Sequence, residues 1–286
     1  MPGVILATHG GASALGATHV AGAVADRLGV PLRVVGVVPL VQPMDYAYGM
    51  VYMPDEAEQA AAAEKLSTEV AEQLAHAGRS QLTAVTRTGN AAQEIAAAAR
   101  EIHADLIVIG LGPHHALDRA LGGETALQLV QIASTPVLAV PATATAMPRR
   151  GVAAIDFTPT SIHAAELAAR LLGSGDTLHL VHVRAAAEQS GRAEEKLEEL
   201  AAQLRRARDI TIDCTVLEGS PARALLDETR QVGGELIALG SHGYGLWKRL
   251  TIGSVASKIL RLATTCVLVK PIGSLTVPVS VPPAHV

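Results

Sequence analysis

Hydrophobic residues in this chain recur as short continuous runs, separated by longer stretches in which apolar and polar positions alternate at helical spacing. In the C-terminal half the runs predict strands at residues 151–157, 177–183, 210–217, 235–239 and 266–270. The stretches between them predict helices at residues 161–172, 187–207, 221–232 and 254–262. Because uninterrupted apolar strands alternate with helices, the pattern predicts a doubly wound, Rossmann-like α/β fold, a parallel sheet covered by helices on both faces.

The same pattern occurs twice along the chain. Four pairs of residues lie 130 positions apart: Gly89 and Gly219, Gly110 and Gly240, Gly123 and Gly253, and Pro136 and Cys266. Nearer the start of each half, Val4 aligns with Val152 at an interval of 148, so the first half contains an insertion of 18 residues, placed within the Tyr- and Met-rich segment 39–59. The sequence therefore predicts two tandem domains, 1–141 and 151–286, joined by a linker at 142–150.

Composition narrows the class of protein. The chain has 286 residues, of which 49% are hydrophobic and 2% aromatic, and its net charge of −4 lacks the basic excess typical of duplex-binding proteins. Nucleic acid is not an expected partner. The start of the chain has no signal-peptide pattern and no run of about 20 apolar residues is present, so a cytoplasmic protein without membrane contact is expected. Cys214 and Cys266 lack CxxC spacing and are interpreted as buried thiols.

A glycine-rich loop after the fourth strand of the second half is the candidate site. Gly240 and Gly243 follow a buried run, and we expect them to adopt positive φ and to let a ligand approach the backbone. Gly253 and Ser254 begin the next helix, where unpaired N–H groups and the helix dipole favour an anion, with Ser254 as the expected N-cap. The topological switch point at this edge also carries Asp156 and is where ligands bind in such sheets.

Several motifs of the second half closely resemble the universal stress protein family. They are Asp156-Phe-Thr158 after the first strand, Gly219-Ser-Pro221 before a helix, and GSHG followed nine residues later by GSV. The resemblance covers nearly the whole chain, as a tandem two-domain member with the fold of adenine nucleotide alpha-hydrolases. It implies ATP with Mg²⁺ or Mn²⁺ held mainly by the phosphates. The residues that it implies for nucleotide binding are Asp156, Thr158, Val183, Gly240, His242, Gly243, Gly253, Ser254 and Val255.

The first half departs from this pattern. Thr8 aligns with Asp156, Pro113 replaces a loop glycine, and Glu124 replaces Ser254. Proline lacks a backbone donor, and a carboxylate at a helix N-terminus would repel phosphate. We therefore predict a degenerate first domain that binds no ATP and packs as the pseudo-twofold partner. By the resemblance, the pair would meet through strands 136–140 and 266–270.

Three functions remain open. The first is an ATP-binding regulator of the stress response with the nucleotide in the C-terminal domain only and at most slow hydrolysis. The second is a nucleotide-hydrolysing or adenylating enzyme on the same fold, and the third is a module that binds no nucleotide. No catalytic residue is assigned, because Ser241-His242 with Asp156 lacks a GxSxG elbow. No metal ligand is assigned, because His179 and His182 point to opposite faces of a strand. The 39–59 insertion is interpreted as a contact between chains or as a lid.

Overall fold

The computed structural model describes residues 2–39, 55–111, 123–184, 191–241 and 252–272. The strands of the first half are β1 (Val4–Thr8), β2 (Leu32–Pro39), β3 (Ala84–Gly89), β4 (Leu106–Leu111) and β5 (Val137–Pro141). Its helices are α1 (Leu15–Leu28), α2 (Glu56–His76), α3 (Ala91–Glu101) and α4 (Gly123–Ile132), and a short 3₁₀ turn at Ala12–Ala14 precedes α1.

The second half repeats this order. Its strands are β6 (Arg150–Ala154), β7 (Thr177–Arg184), β8 (Thr211–Glu218), β9 (Leu236–Gly240) and β10 (Cys266–Lys270). Its helices are α5 (Pro159–Leu171), α6 (Arg192–Ala207), α7 (Pro221–Gln231) and α8 (Ser254–Leu262). The predicted alternation of strands and helices is confirmed, and most of the described elements begin or end within two residues of the prediction.

Within the described residues, ten strands form one sheet in the order β3-β2-β1-β4-β5-β10-β9-β6-β7-β8. All neighbours pair in parallel except β5 and β10, which are antiparallel, with Leu138 opposite Leu268. The pairing predicted between the last strands of the two halves is therefore confirmed. Because the central pair is antiparallel, the carboxyl edges of the two halves lie at opposite ends of the sheet.

Two apolar cores cover the two faces of the sheet. On one face α1, α2, α5 and α6 contribute buried side chains such as Val20, Leu74 and Leu197. On the other face α3, α4, α7 and α8 contribute Ile95, Leu129 and Ile259. Each core extends across both halves, and the small side chains of alanine let α1 and α5 pack closely.

The first strand of the second half is shorter than predicted. It ends at Ala154, whereas the prediction extended it past Asp156 to Phe157. Phe157 has φ 62°, which is incompatible with a strand, and Thr158 then caps α5 by accepting a hydrogen bond from the Ser161 amide. Helix α6 begins at Arg192, and the predicted helical residues before 191 lie outside the described part of the chain.

Sheet register also corrects the alignment of the two halves. Val4 pairs with Leu106 and Gly151 pairs with Leu236, and the latter members of these pairs are 130 residues apart. Structurally equivalent residues of β1 and β6 are therefore 147 positions apart, not 148. The counterpart of Asp156 is His9, so the predicted equivalence with Thr8 is wrong by one residue. The hydrophobic runs of the two halves match equally well at an interval of 147 or 148, so the sequence alone could not distinguish these registers.

Candidate functional site

One cavity of about 420 Å³ lies at the carboxyl ends of β6, β7 and β9, where the chain leaves β6 for one face and β9 for the other. This is the switch point at which open α/β sheets bind ligands. The structure brings six of the predicted residues to its wall: Asp156, Val183, Gly240, Gly253, Ser254 and Val255. Two further predicted residues, His242 and Gly243, lie outside the described residues.

Asp156 is held at the cavity by the turn that follows β6. Its Oδ1 accepts hydrogen bonds from the Thr158 amide at 3.0 Å and the Thr158 hydroxyl at 2.5 Å. The Thr158 hydroxyl also accepts a hydrogen bond from the Ser161 amide at 3.3 Å, which caps α5. Thr158, predicted as a nucleotide contact, does not line the cavity. Its observed contacts orient the carboxylate of Asp156 and start the helix.

The prediction that Gly240 adopts a positive φ is wrong, although the residue lines the cavity. Its φ is outside the positive region, and a side-chain Cβ built there would lie 2.7 Å from the Thr160 hydroxyl and 3.1 Å from the Ser161 amide nitrogen. The absent side chain therefore makes room for the first turn of α5. Gly240 thus allows the turn that carries Asp156 to pack against the end of β9.

Ser241 connects the end of β9 to the start of α8. Its carbonyl accepts a hydrogen bond from the Gly253 amide at 2.8 Å, and its own amide donates to the Lys270 carbonyl at 2.9 Å. Its hydroxyl accepts a hydrogen bond from the Ile272 amide at 3.2 Å, and the residue is 1% exposed. The helix N-terminus is thereby fixed beside the strand end that carries Gly240.

Helix α8 begins without a side-chain cap. Gly253 is the N-cap, with φ −60°, and as a glycine it offers no side chain to the amides of the first turn. The prediction that Ser254 caps the helix is wrong, because Ser254 is already the first helical residue. Without a capping side chain, the positive end of the helix dipole at the cavity remains available to an anion.

The remaining wall is apolar, and sequence reasoning missed most of it. It is formed by Ala154, Ile155, Val181, Pro221, Leu225, Leu239 and Ala256, and two buried serines, Ser161 and Ser241, complete the described lining. Pro221 belongs to the Gly219-Ser-Pro221 motif, which was a signal for this part of the site. The cavity therefore has an apolar side, a carboxylate and an uncapped helix end.

Lys270 is a cation near this edge that the sequence analysis overlooked. It ends β10 in register with Gly240, and its Nζ donates to the Pro271 carbonyl at 3.2 Å. Burial lowers the pKa of Lys270 from its ordinary value, since the charged form loses hydration. Two other cations, Lys248 and Arg249 in the sequence between Gly243 and Gly253, lie outside the described residues.

The corresponding edge of the first half is built differently. Thr8 donates from its hydroxyl to Oε1 of Gln73 at 2.8 Å, and the Gln73 amide donates to the Ala14 carbonyl at 3.1 Å. Gln73 is 2% exposed and belongs to α2. His9, the counterpart of Asp156, is exposed. Pro113 and the side chain of Glu124 lie outside the described residues.

The histidines and cysteines have separate environments. Nδ1 of His182 lies 2.7 Å from the Ile155 carbonyl, whereas Nδ1 of His179 lies 3.7 Å from a carboxylate oxygen of Asp213, so the predicted opposite orientation is confirmed. Cys266 is buried as predicted, but Cys214 is only partly buried. Burial raises the pKa of each thiol to about 12, so neither forms a reactive thiolate at neutral pH. None of the helices in the described part of the chain combines the length and the apolar character that a membrane span requires.

Fold and site together define a tandem, doubly wound α/β protein with a ligand crevice at the switch point of its second half. The model of the universal stress protein family matches residues 2–141 and 147–271. The chain therefore belongs to the universal stress protein family, with two tandem copies of its domain.

Individual relatives agree with this assignment. A universal stress protein of Mycolicibacterium smegmatis is 31% identical over 183 residues, which is 58% of this chain and 61% of that protein. The match thus spans less than two thirds of that relative. The crystal structure of a universal stress protein from Archaeoglobus fulgidus superposes with a TM-score of 0.70 and 20% identity, over 95% of this chain and 97% of its own. A functionally unknown protein from Pseudomonas aeruginosa PAO1 superposes with a TM-score of 0.59 and 17% identity, over 94% and 92% of the two chains. At these identities the two structures support the fold alone.

Proposed function

We propose that the second half of this protein binds ATP or another adenine nucleotide in the switch-point cavity and that the protein acts as a nucleotide-dependent regulator in the stress response. The observation that carries the proposal is the cavity's three-part wall. The wall combines an apolar surface, the carboxylate of Asp156 and the uncapped N-terminus of α8. These are the surfaces that a nucleobase, a ribose and a phosphate chain require.

The apolar side suits a heteroaromatic base. Val181 and Val183 of β7 and Leu225 of α7 present only aliphatic groups to the cavity. A flat, weakly hydrated ring gains free energy when it leaves water for such a surface. The cavity volume of about 420 Å³ lies within the range common for small-molecule sites, roughly 300–1,000 Å³.

The polar ends suit the rest of the nucleotide. A ribose hydroxyl would donate a charge-assisted hydrogen bond to Asp156, whose Oδ1 is already oriented by Thr158. Phosphate oxygens would accept from the amides of the first turn of α8, where the helix dipole favours negative charge. Ser254 is exposed at this turn and can donate its hydroxyl as well.

A divalent cation fits this site only with help from the nucleotide. Asp156 is the single carboxylate among the described residues that line the cavity. Mg²⁺ commonly binds through one or two carboxylates, retained waters and substrate phosphates, so Asp156 and the phosphates would hold Mg²⁺ or Mn²⁺. The cation would neutralise phosphate charge, and the protein would supply the helix N-terminus.

The same lining favours binding over rapid hydrolysis. The described wall contains no lysine, arginine or histidine. Phosphoryl transfer depends on cationic groups that stabilise the transferred phosphate and on a group that orients the attacking water. We therefore expect at most slow turnover. A hydrolysing or adenylating enzyme remains the second candidate, and it would require cations such as Lys248 and Arg249.

Calorimetry and mass spectrometry test the proposal. Titration of ATP with Mg²⁺ into the full chain should give one equivalent of bound nucleotide, and mass spectrometry of the freshly purified protein should detect an adenine nucleotide. Two equivalents would show that the first half also binds. If neither method detects a nucleotide, the module without nucleotide is the correct alternative. Turnover faster than about 1 s⁻¹, within the common range for enzymes, would instead favour the enzyme.

A further inference from the structure

Phe157 has an unusual backbone conformation beside the site. Its φ of 62° places it in the left-handed region. Among the described residues other than glycine, only His103 shares this conformation. A bulky side chain disfavours this region, and such strain persists only where surrounding contacts enforce it. His103 follows the end of α3, a position where left-handed residues are common. Phe157 instead follows Asp156 directly.

The first half makes the same turn with glycine. Gly10 is the counterpart of Phe157 by sheet register, and its φ is 80°. A Cβ at Gly10 would lie 2.6 Å from Cβ of Glu69, so α2 occupies the space that a side chain would need. Because glycine adopts this turn without strain, the fold does not require phenylalanine there. The aromatic ring must therefore serve another purpose in the second half.

Contacts of Phe157 and His182 hold the two residues that precede and follow Asp156 in the chain. The Phe157 and His182 rings have centroids 4.9 Å apart at an interplanar angle of 39°, and Nζ of Lys196 lies 5.1 Å from the centre of the Phe157 ring. His182 also lies within hydrogen-bonding distance of the Ile155 carbonyl, at 2.7 Å. The residues before and after Asp156 are thus anchored to β7 and α6.

We propose that Phe157 is a positioning residue for the carboxylate of Asp156, which binds the ligand. Its ring, held between His182 and Lys196, keeps the left-handed turn in place so that the Thr158 amide meets Oδ1 of Asp156. The carboxylate is then presented to the cavity before a ligand arrives. Preorganisation of this kind raises affinity because less ordering is needed on binding. This inference rests on the proposed nucleotide site.

Substitution of Phe157 by glycine separates the turn from the ring. Phe157→Gly permits the same φ, so the fold should remain, but it removes the contacts with His182 and Lys196. We expect ATP affinity to fall about tenfold, which corresponds to about 1.4 kcal/mol. Hydrogen exchange of the Thr158 amide should accelerate severalfold in the protein without ligand. Phe157→Tyr keeps the ring and should restore both values.

A packing control comes from the same helix that carries Lys196. Leu204→Ala removes a buried side chain of α6 two turns further along, so it should lower the melting temperature and leave ATP affinity and Thr158 exchange unchanged. Wild-type affinity and exchange in Phe157→Gly would overturn the inference. Equal loss of affinity in Leu204→Ala would also overturn it, because the effect would then be general destabilisation. If the wild-type protein binds no ATP, the proposed function itself fails, and an unchanged Thr158 exchange in Phe157→Gly would separately contradict the anchoring of the turn.

Discussion

The two halves of this protein share one fold and differ at the edge where ligands bind. By sheet register, His9 of the first half is equivalent to Asp156 of the second, and Gly10 is equivalent to Phe157. At the end of the fourth strand of each half, Leu111 corresponds to Ser241 by the interval of 130. Since the first half folds without a carboxylate, a strained turn or a serine at these places, the fold does not require them. The first half thereby serves as an internal reference that identifies which features of the second half belong to its site.

At this edge, polar side chains of the first half form hydrogen bonds with one another, whereas the second half presents a carboxylate to a cavity. Gln73 bonds to Thr8 and to the hydroxyl of Thr18 while it is almost fully buried. Gln203, which lies 130 positions further along the chain in α6, is exposed. The amide of Gln73 therefore satisfies the groups at this edge from inside the protein, whereas Asp156 keeps a carboxylate at the cavity wall.

The antiparallel pairing of the two halves places their carboxyl edges at opposite ends of the sheet. Because β5 and β10 are antiparallel, the carboxyl edge of one half lies at the same end of the sheet as the amino edge of the other. A ligand in the second half cannot contact the corresponding loops of the first. Among the described residues, the halves are connected by the shared sheet and by helix contacts such as α1 with α5 and α4 with α8, so an influence of the nucleotide on the first half has these routes.

The strongest test of the comparison introduces the acid of the first half into the second. Ser254→Glu copies Glu124 at the first residue of α8. A carboxylate there would repel phosphate, and we expect ATP affinity to fall on the order of 100-fold, about 2.7 kcal/mol by calorimetry. The same charge should favour the helix dipole and stabilise the fold by about 0.3–1 kcal/mol.

Ser254→Ala is the matched control for this substitution. It removes the hydroxyl without adding charge, so the fall in affinity should be much smaller than for glutamate. Comparable losses in both variants would assign the effect to the hydroxyl, and unchanged affinity in Ser254→Glu would remove the α8 N-terminus from the phosphate site.

A second test compares the two glycines that end the fourth strands. Gly240→Ala places a Cβ against Thr160 and the backbone of Ser161, and overpacking of this kind costs about 1–3 kcal/mol. Gly110→Ala meets no described atom within 4 Å and should leave the free energy of unfolding within about 0.5 kcal/mol of wild type. Urea denaturation measures both values. Equal costs would mean that α5 does not approach β9 as closely as the structure shows.

Sequence patterns were sufficient for the architecture and insufficient for details that depend on side-chain direction. Continuous apolar runs predicted the parallel sheet and the order of elements because burial on both faces removes the polar alternation. The predicted strand was too long at its end, where Ile155 and Phe157 are apolar on either side of Asp156 but the backbone turns away. Hydrophobicity reports burial and carries no information about the sign of φ.

The candidate site was predicted in its polar parts and missed in its apolar ones. Asp156 and Gly253 belong to recognisable motifs, whereas Val181 and Leu225 are ordinary members of a buried strand and helix. Periodicity indicates which face of an element is covered, but it cannot show where that cover leaves a gap. The sequence likewise could not show that the missing side chain of Gly240 makes room for α5, because this depends on tertiary packing.

A third test concerns the acid that distinguishes the halves. Asp156→Ala should weaken ATP binding by about 1–3 kcal/mol, because one charge-assisted hydrogen bond to the nucleotide is lost. His9→Ala, at the equivalent position of the first half, should not change affinity, since His9 is exposed and no ligand is expected there. Calorimetry of both variants measures the difference. If His9→Ala weakened binding equally, the site would have to lie in the first half.

The smallest expected effect tests the polar contacts that replace a ligand in the first half. Gln73→Met keeps the volume of the side chain and removes its amide, which leaves the Ala14 carbonyl and the Thr8 hydroxyl without that partner. A lost net hydrogen bond costs about 0.5–1.5 kcal/mol, so we expect destabilisation of about 1 kcal/mol in urea denaturation. Gln203→Met is the matched change at an exposed position and should remain within about 0.5 kcal/mol of wild type. Neither variant should alter ATP affinity, because both glutamines lie outside the described lining of the cavity. Weaker ATP binding in Gln73→Met would show that the halves are coupled across the sheet, and the first half would then be part of the mechanism and not only a structural partner.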